Sequence, residues 1–195
     1  MNRAQRQQYT AAEGDWLERL AREHQWDYAI TLQTNLRTYA VAASTLEQRI
    51  ELTRRATQRF RQMLNRLLTG NGWRRNAAYT PRFLSSIEGI GDKDKTLHIH
   101  ASIGNVGHRA TEATRQLLED GIRQLWLKNN VYAPVIPNLS TSRTKPIAVD
   151  DVKVKLIVDD DTGNLSTERW IGYTSKEART KGIWRVIDWT NAQAL

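Results

Sequence analysis

The chain has 195 residues, a net charge of +8 and no cysteine. A chain of this length and composition is expected to form a single soluble domain, and the absence of cysteine excludes disulfides, thiolate nucleophiles and cysteine-liganded zinc. The basic balance favours a polyanionic partner such as nucleic acid. No apolar run approaches the roughly 18 residues of a membrane span, and the start lacks an apolar signal core. We therefore expect a cytoplasmic protein that does not contact a membrane.

The first third of the chain predicts two helices separated by a strand. Residues 1–9 are polar and expected to be disordered, and 10–24 has the spacing of an amphipathic helix. Apolar and polar residues then alternate from Tyr28 onward, as in a strand. Ser44-Thr45-Leu46-Glu47 has the pattern of a capping box, which predicts the start of a long helix that ends at Gly70.

This long helix is predicted to have an apolar stripe and a basic face. The predicted core stripe comprises Leu46, Ile50, Phe60, Leu64 and Leu67. The predicted solvated face carries Arg49, Arg54, Arg55, Arg59, Arg61 and Arg66.

Two strands, over 83–88 and 96–103, are predicted to form an antiparallel hairpin, because Gly and Asp residues lie between them. In the second strand, His98 and His100 alternate with apolar residues, so both imidazoles project from one face, about 7 Å apart. Such a pair can bind one divalent metal, although a polar face that carries two histidines by chance has the same sequence. The hairpin places Glu88 beside this strand, but whether it shares the imidazole face depends on a register that sequence does not fix.

The second half predicts a helix over 109–128, an exposed loop over 129–148 and a strand at 152–158 whose apolar residues share one face, with Lys153 and Lys155 on the other. The inward residues of that helix are expected to be Ala113, Leu117, Ile122 and Leu125. A further helix over 166–177 and a last strand over 183–189 complete the prediction.

Three motifs, in this order, resemble those of the HUH endonucleases. They are the strand Ile30-Thr31-Leu32, the hairpin with Glu88 and His98-Ile99-His100, and the helix with Tyr173-Thr174-Ser175-Lys176. The tyrosine follows the histidines, as in the rolling-circle replication initiators, the Rep proteins of plasmids, phages and circular single-stranded DNA viruses. The stretch Trp170-Ile171-Gly172-Tyr173-Thr174-Ser175-Lys176-Glu177 is especially similar to the tyrosine helix of plasmid-type Reps. The resemblance spans about 27–178.

The resemblance implies one HUH-type nuclease domain over 1–195. Its implied fold class is α+β, with a central, ferredoxin-like antiparallel sheet of about five strands flanked by helices. It implies that His98 and His100, with Glu88 as third ligand, bind Mn²⁺ or Mg²⁺, that Tyr173 is the nucleophile and that Lys176 assists it. The activity implied is nicking and joining of single-stranded DNA through a 5′-phosphotyrosine intermediate, which initiates rolling-circle replication at an origin hairpin. A phenol is a weak nucleophile, so a metal that polarises phosphorus and a nearby cation suit this reaction.

Two features differ from the family pattern. The stretch from His100 to Tyr173 is longer than in compact viral Reps, and no helicase domain follows. Strand separation and extension of the free 3′-OH are therefore expected to depend on a host helicase and polymerase.

DNA phosphates are expected to bind four cationic residues in predicted loops, in addition to the basic helix face. These are Arg74, Arg75, Arg143 and Lys145. Two alternatives stay open. One is a transposase of the same superfamily, and the other is a non-catalytic single-stranded nucleic-acid-binding module that stacks bases on Trp73, Trp170 and Trp184.

Overall fold

The fold is α+β and is built on one four-stranded antiparallel sheet in the order β2-β3-β1-β4. A computed structural model of the chain describes residues 22–74, 80–106, 111–129, 152–157 and 166–174, together with 12, 15, 16, 19, 20 and 188. In chain order the elements are β1 Tyr28–Arg37, α1 Ala43–Thr69, β2 Arg82–Glu88, β3 Thr96–Gly104, α2 Glu112–Asn129, β4 Val152–Leu156 and α3 Thr167–Thr174. A short 3₁₀ turn, Gly72–Arg74, follows α1.

The four described strands match four of the five expected ones. The expected fifth strand, over 183–189, lies outside the described residues except for Asp188, whose N–H donates to the Ser85 carbonyl on β2 at 2.9 Å. The predicted disordered start at 1–9 also lies outside the described residues. Of the loop predicted over 129–148, Asn129 instead ends α2 and is buried, and 130–148 lies outside the described residues. None of the helices among the residues described has the length and apolarity needed to cross a bilayer.

Helices α1 and α2 cover one face of the sheet. Strand residues such as Ile30 and Ile99 pack there against Phe60 and Leu64 of α1 and against Trp126 of α2. The indole of Trp126 meets Phe60 edge-on, with the ring centroids 5.7 Å apart, and donates its Nε1–H to the Gln33 carbonyl at 2.8 Å. The main core therefore lies on this face, and the opposite face is not covered by α1 or α2.

Helix α1 begins earlier than its sequence predicts. It starts at Ala43, and the N-cap residue Ala42 makes no side-chain cap hydrogen bond, so the predicted capping box is wrong. The core stripe is shifted at its end, because Leu68, four residues after Leu64, is buried while Leu67 is 44% exposed. Arg49 does not lie on a solvated face either: it is buried and its guanidinium donates to the Arg37 carbonyl at the end of β1.

The buried stripe of helix α2 also differs from the predicted stripe. Leu118, Ile122 and Trp126 are buried at a spacing of four residues, whereas Leu117 is 76% exposed. Ala113 is exposed and Leu125 is only partly buried. Ile122 is the one residue of the predicted stripe that is fully buried, because the helix is rotated to insert Trp126 against Phe60.

The opposite face of the sheet is divided between an apolar end and a polar end. At the apolar end, Trp26, Ala29 and Leu84 pack against Trp170 and Ile171 of α3. At the polar end, the strands present acidic, imidazole and hydroxyl side chains, and β4 presents the exposed Lys153 and Lys155. Helix α3 therefore covers the apolar end of this face and leaves a cleft over the polar end.

The turn between β2 and β3 is anchored to the end of β1. The hydroxyl of Thr38 donates to the Gly89 carbonyl and accepts from the Gly91 N–H, each at 2.8 Å. Both glycines have positive φ, +85° at Gly89 and +71° at Gly91. A Cβ at Gly89 would lie 2.3 Å from the Thr96 carbonyl oxygen and 3.2 Å from Nδ1 of His98, whereas a Cβ at Gly91 would meet nothing within 4 Å.

This difference predicts unequal effects of alanine at the two glycines. Both substitutions place a Cβ in the left-handed region, which costs roughly 1–2 kcal/mol. Gly89→Ala adds a steric overlap with backbone, for which overpacking data suggest about 1–3 kcal/mol more. Chemical denaturation should therefore show Gly89→Ala to be the less stable variant, and equal stabilities would contradict the close packing of the turn on β3.

Candidate metal centre

The register of the β2–β3 hairpin brings three metal-ligating side chains together. Glu88 pairs with His98 and Ser86 pairs with His100, so all four side chains project from the same face. The open question of the Glu88 face is thereby resolved: it shares the face of the imidazoles. Glu88, His98 and His100 are buried and each offers one ligand atom within 4.8 Å of the others. Oε2 of Glu88 lies 3.7 Å from Nε2 of His98 and 3.5 Å from Nε2 of His100.

The hydrogen bonds of the two imidazoles direct their Nε2 atoms toward Glu88. Nδ1 of His98 lies 3.0 Å from the Thr96 carbonyl oxygen, which can only accept, so in the neutral ring the lone pair is on Nε2. Nδ1 of His100 lies 3.0 Å from the hydroxyl of Thr31 on β1. When that hydroxyl accepts a hydrogen bond from Nδ1–H, the lone pair of the neutral His100 ring is on Nε2, which can then bind a metal. Partners of this kind fix the tautomer and orientation of metal-binding histidines.

Polar atoms of the cluster are buried without hydrogen bonds from the described part of the chain. Within it, Nε2 of His100, Oε1 of Glu88 and the Ser86 hydroxyl oxygen make none. A buried polar atom left without a partner costs about 1–3 kcal/mol, so such atoms rarely occur without a functional reason. A cation between the imidazoles and the carboxylate would satisfy the first two of these atoms. The residues therefore fit a metal ion.

The carboxyl of Glu88 is held in its ionised form. Burial by itself would raise the pKa of Glu88, but the contacts and charge of His100 and His98 outweigh burial and lower the pKa to about 2. Glu88 is thus favoured as a carboxylate beside the two imidazoles. A negative oxygen beside two imidazole nitrogens is a suitable donor set for a divalent cation without thiolate ligands.

Two aromatic residues of α3 form a wall against His100. The ring centroid of Tyr173 lies 5.1 Å from that of His100, and the ring centroid of Trp170 lies 5.4 Å from that of His100. Both rings meet His100 edge-on. Trp170 and Tyr173 stack on each other with centroids 5.8 Å apart and planes inclined by 20°. Trp170 is 7% exposed and belongs to the apolar cluster under α3, whereas Tyr173 is 47% exposed. A buried indole thus supports an accessible phenol beside the cluster.

The cluster opens into a cleft of about 840 Å³ lined by residues of the sheet, the β2–β3 turn and α3. His98, His100, Trp170 and Tyr173 all line it. Among the described residues, its cationic lining consists of Lys95, Lys153, Lys155 and Arg169, against Asp94 in the lining and the ionised Glu88 of the adjoining cluster. The cleft therefore combines ligating groups, an accessible phenol and excess positive charge.

The structure brings four of the predicted site residues together: Glu88, His98, His100 and Tyr173. Arg74 is exposed in the turn after α1 and does not line the cleft. The other predicted residues, Lys176, Arg75, Arg143 and Lys145, lie outside the described residues.

Sequence reasoning missed the role of Thr31 as partner of His100, the support of Tyr173 by Trp170, and the cleft cations of β4 and α3. Alternation in the strands shows which residues share a face. It does not show which strands are neighbours, because that depends on contacts that are distant in sequence.

No protein-family model, curated protein or solved structure matches this chain.

We predict that the protein binds one divalent metal ion and that Glu88→Gln weakens binding at least tenfold, because the amide keeps the shape but not the charge. Isothermal titration with MnCl₂ measures this directly. Glu51→Gln is the matched control, since Glu51 is an exposed carboxylate on α1 that pairs with Arg55. Equal manganese affinity in the Glu88→Gln variant and the parent protein would exclude Glu88 as a ligand.

A second prediction concerns Thr31. Thr31→Val retains the side-chain shape but removes the hydroxyl 3.0 Å from Nδ1 of His100. Loss of such a partner typically weakens metal binding by about 10–100-fold. The same titration should show this loss while Glu88, His98 and His100 are all intact. Unchanged affinity would mean that Thr31 does not orient the ring.

Proposed function

We propose that this protein is a metal-dependent endonuclease that nicks and rejoins single-stranded DNA through Tyr173, as a replication initiator of the HUH type. The observation that carries the proposal is the half-exposed phenol of Tyr173 with its ring 5.1 Å from His100, beside a buried cluster of two imidazoles and a carboxylate. The order of the motifs along the chain supports a Rep-type protein, as does the surplus of cations in the cleft.

The donor set suits Mn²⁺ or Mg²⁺, because it combines a hard carboxylate with imidazoles and has no sulfur ligand. A bound divalent cation neutralises a phosphate oxygen and makes phosphorus more electrophilic. The chain itself contributes ionised Glu88 and two oriented imidazoles. Because these three side chains are 4–7% exposed, little water competes for the ligand atoms.

The proposed reaction uses the Tyr173 hydroxyl as nucleophile. Its oxygen attacks the scissile phosphorus and loses its proton, the bond from phosphorus to the 3′ oxygen breaks, and that oxygen leaves as a protonated 3′-OH. The product is a DNA 5′-phosphate joined to Tyr173. One phosphodiester replaces another, so a later attack by a 3′-OH on the phosphotyrosine rejoins DNA without a separate energy source.

The stack with Trp170 favours this role for Tyr173. Because Trp170 is held in the apolar cluster, its ring limits the positions that the phenol can adopt. Pre-positioning a nucleophile is one of the larger contributions that an enzyme makes to rate. We further propose that Lys176, three residues beyond Tyr173 in sequence and outside the described residues, places its ammonium near the same phosphate.

As a Rep-type initiator, the protein would act at an origin hairpin in the cytoplasm. A host helicase would separate the strands and a host polymerase would extend the 3′-OH. A single HUH-type domain would suffice for the nicking step.

The test is covalent capture of DNA. The protein is incubated with random-sequence single-stranded DNA and MnCl₂, and adducts that survive denaturant are measured by intact-mass spectrometry. We expect an adduct with the parent protein and none with Tyr173→Phe, which lacks one oxygen but keeps the ring. Lys176→Ala should slow adduct formation without abolishing it.

Tyr39→Phe is the matched control, because Tyr39 is also exposed, at 53%, but does not line the cleft. It should form adduct like the parent protein. An adduct that persists in Tyr173→Phe would assign the nucleophile to another residue, with Tyr79 and Tyr132 the next to test. A parent protein that binds DNA but never forms an adduct would favour the non-catalytic binding module.

A further inference from the structure

We infer that Lys153, Lys155 and Arg169 form a phosphate-binding track that holds an extended single strand on the β4 side of the metal centre. This inference rests on the proposed function for the identity of the ligand, single-stranded DNA. It differs from the sequence-based expectation, which placed the phosphate contacts on loop residues and on the basic face of α1. All three residues line the same cleft as His98, His100 and Tyr173.

The register of β4 on β1 directs both lysines to the site face. Lys153 pairs with Thr31 and Lys155 with Ala29, and Ala29 and Thr31 line the cleft. Residues two apart on a strand project from one face about 7 Å apart. Successive phosphates of an extended single strand have a similar separation. The two exposed ammonium groups are therefore spaced to contact neighbouring phosphates of one strand.

The track is close enough to the metal centre to hold the same DNA molecule. Lys153, Thr31 and His100 lie side by side on β4, β1 and β3. Adjacent strands are about 4.8 Å apart, so the Lys153 backbone lies about 10 Å from that of His100. A lysine has a flexible four-carbon stem, which lets its ammonium reach a phosphate one or two nucleotides from the one at the metal centre.

Arg169 connects the track to the nucleophile. It lies four residues before Tyr173 on α3, so the two side chains share a helix face, and both line the cleft. Trp170, between them in sequence, also lines the cleft, and its indole stacks on Tyr173. The strand would thus pass from Tyr173 along Arg169 and Trp170 to the lysines of β4.

The arrangement fits an unpaired strand better than a duplex. The metal-ligating groups are 4–7% exposed at the base of a cleft, so a scissile phosphate must enter between α3 and the sheet. A backbone whose bases are unpaired can bend into such a cleft, whereas a duplex presents its phosphates on a stiff outer surface.

The test is the salt dependence of DNA binding without metal. Fluorescence anisotropy with a labelled oligothymidine in EDTA gives the slope of log affinity against log salt. Each neutralised phosphate contributes about −0.7 for single strands, so Lys153→Gln with Lys155→Gln should make the slope shallower by about 1.4. The control is Lys128→Gln, which removes a charge from the last turn of α2 on the other side of the sheet. It should leave the slope unchanged.

The outcomes separate this inference from the proposed function. An unchanged slope in the lysine variant, or an equal loss in the control variant, would overturn the track, even if the parent protein forms a Tyr173 adduct. An equal slope change on a duplex of the same length would contradict the single-strand path. A slope change confined to the lysine variant and the single strand would support the track, even if no adduct is ever found. Manganese affinity should be the same in both variants, because neither substitution removes a ligand.

Discussion

The candidate site depends on one constraint, the pairing of Glu88 with His98 across the β2–β3 hairpin. Side chains alternate between faces along a strand, so a slip of one residue would move Glu88 to the face covered by α1 and α2. The hairpin turn fixes this register, with two glycines at positive φ and the Thr38 hydroxyl bonded to the Gly89 carbonyl and the Gly91 N–H. The carboxylate that completes the cluster is thus positioned by backbone geometry before any metal binds.

The second requirement is that α3 pack on one end of the site face of the sheet and leave the other end accessible. The apolar cluster around Trp26 and Leu84 holds α3 against the sheet, and Trp170 extends that cluster to the edge of His100. Tyr173, one turn further, emerges into the cleft. The same helix therefore contributes burial at one end and an accessible phenol at the other. Burial also keeps water away from the cluster, while the pKa of about 2 keeps Glu88 charged within it.

Sequence alone was informative where a pattern of period two decides the outcome. All four described strands lie where alternation predicts them, and the two-histidine face is as expected. Helix faces were less predictable. Apolar spacing places Leu67 and Leu117 in the core. In the structure α1 buries Leu68 instead of Leu67, and α2, which also buries Trp126, buries Leu118 instead of Leu117. Local apolar spacing tolerates such a shift, and only the tertiary contacts determine it.

Contacts between distant segments could not be predicted. Thr31 and His100 are 69 residues apart, and their contact follows from β1 lying beside β3, with β4 beyond it. The cations of the cleft follow from the same strand order. Alternation shows that Lys153 and Lys155 face outward, but only the β1–β4 register places them beside the histidine face.

The most direct test of the central claim, that the hairpin register assembles a metal centre beside Tyr173, is anomalous diffraction from crystals of the protein grown with MnCl₂. We expect one strong manganese peak bonded to Nε2 of His98, Nε2 of His100 and the carboxylate of Glu88, with the phenol of Tyr173 facing it across the cleft. A manganese peak bound elsewhere, or crystals in which these three side chains hold no metal at saturating MnCl₂, would contradict the account.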